Sequence, residues 1–149
     1  AASDVYKRQA HYWPTRIESC HDEKILSWLE SHICLIPMFP RRSDCSVVEG
    51  RDITPAKVAA LTSASARCWD AILACDLRAF ADAFRDSFNA QVALFPAMMQ
   101  PGVAECIEAV RPHVLAWKMT GAGGGGYLAC VYENEPPRGS HAIKIRRKD

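Results

Sequence analysis

The chain has 149 residues, enough for one domain with a core of its own. It is 49% hydrophobic and 23% charged with a net charge of +1, so it lacks the basic excess that marks nucleic-acid or anionic-membrane binding. No apolar run approaches the roughly 20 residues needed to span a bilayer, nothing reads as a signal peptide, and neither a nucleic acid nor a membrane is expected as a partner.

Residues 1–9, AASDVYKRQ, have no apolar periodicity and look like translated sequencing-adapter read-through, so this non-native tail is set aside. Residues 10–20 read as a linker, in which Trp13 either packs on the domain or stacks on a sugar. Asp22 opens a helix carrying Ile25, Leu26, Trp28 and Leu29 at helical spacing. Ile33 to Phe39 is an apolar run interrupted by Pro37, which suits a strand near a sheet edge. A polar loop over 40–52 holds Arg41, Arg42 and Gly50.

Thr54 and Pro55 pair a capping hydroxyl with a proline at the first helical position. The helix they open repeats Val58, Leu61, Ser65, Cys68, Ile72 and Cys75 in steps of three and four. After a break at Asp76, a second long helix sets Leu77, Phe80, Phe84, Phe88, Val92 and Phe95 on one face, a stripe wide enough to be core, and Pro96 ends it. Pro101 begins a shorter helix with Val103, Cys106, Ile107 and Val110, ending near Pro112.

The pattern then changes to strand (Val114 to Met119), glycine loop (Thr120 to Gly126) and strand (Tyr127 to Tyr132). A turn at Pro136, Pro137 and Gly139 leads to a last strand, His141 to Arg147, whose alternating basic and apolar residues suit a sheet edge. Helices and strands do not alternate strictly. The order predicts an α+β domain over residues 21–149, an antiparallel sheet packed against helices.

Seven cysteines, at 20, 34, 45, 68, 75, 106 and 130, form no regular framework and no CxxC pair. They read as reduced, mostly buried thiols of a cytoplasmic protein. A zinc site would need Cys20, His21 and His32 to converge, and no metal ligand is assigned on that basis.

The most informative segment is Trp117-Lys118-Met119-Thr120-Gly121-Ala122-Gly123-Gly124-Gly125-Gly126-Tyr127. Five glycines in six positions carry an entropic cost on folding that calls for a reason, such as backbone at φ > 0 or close approach to another group. Gly121, Gly123 and Gly126 match GxGxxG, but a dinucleotide fingerprint needs a helix after the loop, and YLACVY is strand-like. A Walker A loop needs Lys-Ser/Thr after the last glycine, where Tyr127 and Leu128 stand.

Lys118 to Gly126 instead resembles the last motif of the GHMP kinases (galacto-, homoserine-, mevalonate- and phosphomevalonate kinases), Lys-x-Thr/Ser-Gly-Ala-Gly-Gly-Gly-Gly between two strands. The preceding order is similar too: two long helices joined at Asp76-Leu77, a shorter helix, then strand, loop and strand. The spelling looks closest to bacterial heptose and fucose kinases. The resemblance covers residues 21–147 and implies a ferredoxin-like C-terminal domain of an ATP-dependent sugar kinase, with ATP and Mg2+ as cofactors and a sugar as substrate.

It further implies that Thr120, Gly121, Ala122, Gly123, Gly124, Gly125 and Gly126 line the nucleotide phosphates at a domain junction. Thr120 would offer its hydroxyl to the substrate or phosphate side. Lys118 is either a sheet residue or a phosphate ligand. The family's Pro-x-x-x-Gly-Leu-x-Ser-Ser loop, its magnesium ligands and its catalytic base are not in this sequence, so they are expected on a missing N-terminal kinase domain. The fragment alone is then expected to be inactive, with no catalytic residue of its own. Arg41 and Arg42 are either solvated charges or contacts to a sugar or phosphate. Between Glu133 and His141 a Pro/Gly turn replaces the family's usual connecting helix. A reading from another class, a non-catalytic ferredoxin-like module for ligand sensing or protein interaction, would keep the helices and sheet without needing the glycines beside Thr120.

Overall fold

Asp22 starts the first helix, α1 (Glu23–His32), by accepting hydrogen bonds from the N–H groups of Lys24 and Ile25 at 2.9 and 3.1 Å. These residues belong to a computed structural model that describes residues 17–40, 46–121 and 123–147. The tail at 1–9 and Arg41 and Arg42 lie outside the described residues. Strand β1 (Ile33–Pro37) follows α1 directly. Thr54 caps α2 (Pro55–Ala74) through the N–H of Lys57, with Pro55 at the first position. Cys75 ends it in the left-handed region at φ 52°, and Asp76 caps α3 (Leu77–Leu94) one residue later through the N–H of Ala79. That abrupt turn folds α3 back along α2.

After α3 comes a single 3-10 turn, Pro96–Met98, then α4 (Pro101–Val110). A second 3-10 turn, Arg111–His113, leads into β2 (Ala116–Met119) and β3 (Tyr127–Val131), with β4 (His141–Ala142) last. The sheet order is β2-β3-β1-β4, with every pair antiparallel. This is the ferredoxin-like strand order, with residues 132–140 making the last crossover where that fold has a helix.

Two expectations about the sheet are corrected. Strand β1 is interior, between β3 and β4, although Pro37 suggested an edge. Proline is tolerated there because β4 reaches only Cys34 and Leu35. Alternation along the strand, fixed by the Met38 N–H donating to the Gly126 carbonyl, turns the Pro37 nitrogen away from β3, where no strand faces it. The final strand pairs over His141 and Ala142 alone and does not run to Arg147. Arg147 instead leaves the sheet to bind α1. Its Nε and Nη2 donate to the two oxygens of Glu23 at 2.6 and 2.7 Å, and its Nη1 donates to Glu30 at 2.8 Å.

The sheet is buried on both faces. Cys34, Met119, Leu128 and Cys130 join Met98, Val103, Ile107 and Val110 in one core. Ala116 and Val131, on the opposite set of alternating positions, join Phe80, Ala81 and Ala71 in another. Cys34 and Cys130 face each other across β1 and β3, both buried, and burial pushes the Cys130 thiol up to about 12. They act as small apolar side chains.

In α2 the buried positions are Ala64 and Ala71, while Val58 and Ser65, placed by spacing on the inner stripe, are exposed. Small residues face α3 because the two helices pack side by side over most of their length. On α3 the stripe holds: Phe80 and Phe88 are buried, and Phe84, Val92 and Phe95 pack against the two cores.

Candidate functional site

The hairpin between β2 and β3 places Thr120 to Gly126 at one end of the sheet. Its base is closed twice. Both the N–H and the hydroxyl of Thr120 donate to the Tyr127 carbonyl at 3.0 Å. On the other side Gly126 donates to the Phe39 carbonyl and accepts from the Met38 N–H, each at 2.8 Å. Two residues beyond β1 thus oppose one glycine, a β-bulge that fixes the loop's exit. The Thr120 hydroxyl, assigned to substrate or phosphate from the motif, is engaged in this closure.

Between those clamps the backbone runs through the left-handed half of conformational space. Gly121, Gly123, Gly124, Gly125 and Gly126 have φ of 62, 78, 74, 143 and 89°. Residues with a Cβ take such values only with strain, so the glycine run meets a conformational need. Gly123, Gly124 and Gly125 are also buried, and Ala122 lies outside the described residues. The Gly123 N–H reaches the Thr120 carbonyl at 3.4 Å. Among the described residues the N–H groups of Gly124 and Gly125 meet no acceptor. Adjacent backbone N–H groups left open in this way suit an anion. Among the described residues no three His, Cys, Asp or Glu side chains form a metal site.

Lys118 is two residues before Thr120, yet its ammonium is turned under the sheet. Nζ donates to the hydroxyl of Ser87 on α3 at 2.5 Å, and Ser87 is only 4% exposed. It pairs with no carboxylate among the described residues, and burial lowers its pKa below the usual lysine value. Of the two readings of this lysine, the geometry is that of the sheet residue. Met98 and the Met38–Phe39 pair, which shape the loop from below and behind, were not found from sequence. Nothing in FPAMMQP or IPMFP distinguishes them from ordinary core.

A family model, described as GHMP kinases C terminal, matches residues 70–148, just over half of the chain. The match starts near the end of α2 and takes in α3, α4 and the whole β2–loop–β3 hairpin; β1, which completes the sheet between β3 and β4, comes before it. No curated protein matched the chain in a sequence search. The α+β fold and the antiparallel sheet packed against helices agree with the family match: the chain belongs to the GHMP kinases and carries their C-terminal domain.

Proposed function

We propose that the chain is the C-terminal part of an ATP-dependent sugar kinase, which transfers the γ-phosphoryl group of ATP to a sugar hydroxyl in the cytoplasm. Family membership supports the phosphotransferase class; the spelling of the Lys118–Gly126 motif favours a sugar acceptor of the kind used by heptose and fucose kinases. The observation that carries the reading is the pair of adjacent N–H groups at the buried Gly124 and Gly125, which meet no acceptor among the described residues. Phosphoryl transfer depends on positioning and charge stabilisation more than on covalent help from the protein. Backbone donors held in place in a buried loop would supply both.

In this reading an N-terminal domain, joined through residues 10–20, contributes the phosphate-binding loop, the magnesium ligands and the catalytic base. Arg41 and Arg42 follow β1, whose extension at Phe39 is bonded to Gly126. Both arginines lie outside the described residues, and a role for them on the sugar or phosphate side rests on their position in the sequence just after that segment.

Gly124→Val in the full-length kinase tests the proposal. Gly124 sits at φ 74°, where a β-branched residue is strained by about 1–3 kcal/mol. Turnover per folded molecule is expected to fall by roughly 100-fold or more, the effect of losing one preorganised donor, while thermal unfolding shows the domain still folded. Near-normal turnover in a destabilised protein would reduce the loop to a hairpin connection.

A further inference from the structure

The crest of the glycine loop has little to hold it. Thr120 and Gly126 are clamped, but among the described residues the one backbone bond from Gly123 to Gly125 is the 3.4 Å contact to Thr120. Glycine backbone has no side chains of its own to pack, and at positive φ it is the most permissive backbone available. Donors that must be preorganised therefore need support from outside the loop.

That support is Met98. Its side chain is 2% exposed and lies flat beneath Gly123. A Cβ on Gly123 would stand 3.1 Å from Cγ and 3.2 Å from Cβ of Met98, and closer still to its Cε. The same construction at Gly121 and Gly126 meets nothing within 4 Å. The backbone of Met98 is itself fixed. Its N–H donates to Phe95 at 3.0 Å, its carbonyl accepts from Gln100 at 3.1 Å, and Pro96 and Pro101 bracket the segment.

A second contact ties the same parts together. The Phe39 ring lies so close to Gly102, in the first turn of α4, that a Cβ there would come within 3.0 Å of its Cζ. Phe39 is also the residue whose carbonyl holds Gly126. The loop's exit and its crest thus rest on the two ends of one short segment, Met98 to Gly102.

Resting on the kinase reading above, we infer that Met98 is a positioning residue for phosphoryl transfer: it sets the height of Gly123 and thereby the aim of the Gly124 and Gly125 N–H groups. Met98 touches no substrate. It acts by filling the space into which the loop would otherwise sag.

The test compares Met98→Ala, Met98→Leu and Val103→Ala in the full-length kinase. Val103 is fully buried in the same core, and the atoms nearest a Cβ on Gly123 belong to Met98 rather than to Val103. Met98→Ala is expected to lower kcat by about 100-fold, the scale of a misplacement of roughly 1 Å, with KM for the sugar changed by less than about threefold because the sugar does not depend on the loop's height. Met98→Leu, of similar volume, should recover most of the turnover. Val103→Ala should lose stability but keep its turnover per folded molecule. Amide hydrogen exchange, read without any substrate, should quicken at Gly123 to Gly125 in Met98→Ala and not in Val103→Ala. Equal turnover in Met98→Ala and Val103→Ala, or unchanged exchange at the crest in Met98→Ala, would overturn the inference. A wild-type protein with no phosphotransfer to any sugar would overturn the kinase reading instead, and the exchange comparison would still decide whether Met98 holds the loop.

Discussion

Replacing Phe80 by alanine probes the core that holds α3 against the sheet. Phe80 is 2% exposed, and its ring meets Trp28 edge-on at 6.0 Å and Phe84 at 5.5 Å. The other buried members of this core are Ala71, Ala81, Ala116 and Val131. The large side chains packed around it, such as Trp28, Leu29, Ile72 and Phe84, are only partly buried, and the alanines cannot swing into a vacancy. Burial of the ring contributes about 2–3 kcal/mol. If a cavity of roughly 60 Å3 persists, at about 24 cal/mol per Å3, it adds about 1.4 kcal/mol. The expected loss is about 4 kcal/mol, a large part of the roughly 5–15 kcal/mol that holds an ordinary domain folded. Urea unfolding of wild type and Phe80→Ala should show the midpoint falling with the slope unchanged. A loss below about 1.5 kcal/mol at unchanged slope would mean that the alanine-lined core collapses onto the space, contrary to the argument.

The Arg147 clamp on α1 gives a pH-dependent prediction. The guanidinium beside Glu23 lowers its carboxyl to about 2, and the same group, together with the Ile145 N–H, lowers that of Glu30, whose side chain is 11% exposed. Carboxyls depressed below their unfolded value of about 4.5 stabilise the fold above that pH and lose the contribution as pH falls toward 2. Arg147→Gln should therefore be less stable than wild type at pH 7, with the difference closing in acid; a gap that persists unchanged at pH 2 would show that packing, not charge, is the cause. Lys118 predicts a change of the same sign in an alkaline window, but from a charged form that the fold disfavours. Its folded pKa lies below 10.5 through burial, so the charged form is disfavoured in the fold and wild-type stability rises as pH climbs toward 10.5. Lys118→Met combined with Ser87→Ala removes both partners of one bond and should equal or exceed wild-type stability at neutral pH, its advantage shrinking in alkali when the two are titrated in parallel by chemical unfolding.

Local physics made much of the chain legible from sequence alone. Asp22 and Thr54 with Pro55 start helices because a side-chain oxygen or a fixed φ satisfies a need within a few residues, and each does so in the structure; Asp76, read as a break, proves to cap the next helix. The phenylalanine spacing on α3 predicted its buried face for the same reason. The glycine run marked the backbone that takes φ > 0, since nothing but the absence of a Cβ is required to read it. Tertiary structure decided the rest. Pro37 suggested an edge strand, yet β1 is interior, and proline is tolerated there because β4 stops two residues short of it. His141 to Arg147 has the alternation of a strand, but the pairing ends at Ala142 and Arg147 goes to carboxylates more than a hundred residues earlier in the chain. Val58 and Ser65 fit the helical period of α2, yet the seam with α3 runs through Ala64 and Ala71. Met98 carries no signal in its own neighbourhood. Its place beneath Gly123 depends on how α4, the 3-10 turn and the hairpin pack together, a contact between residues far apart in sequence that no local pattern encodes.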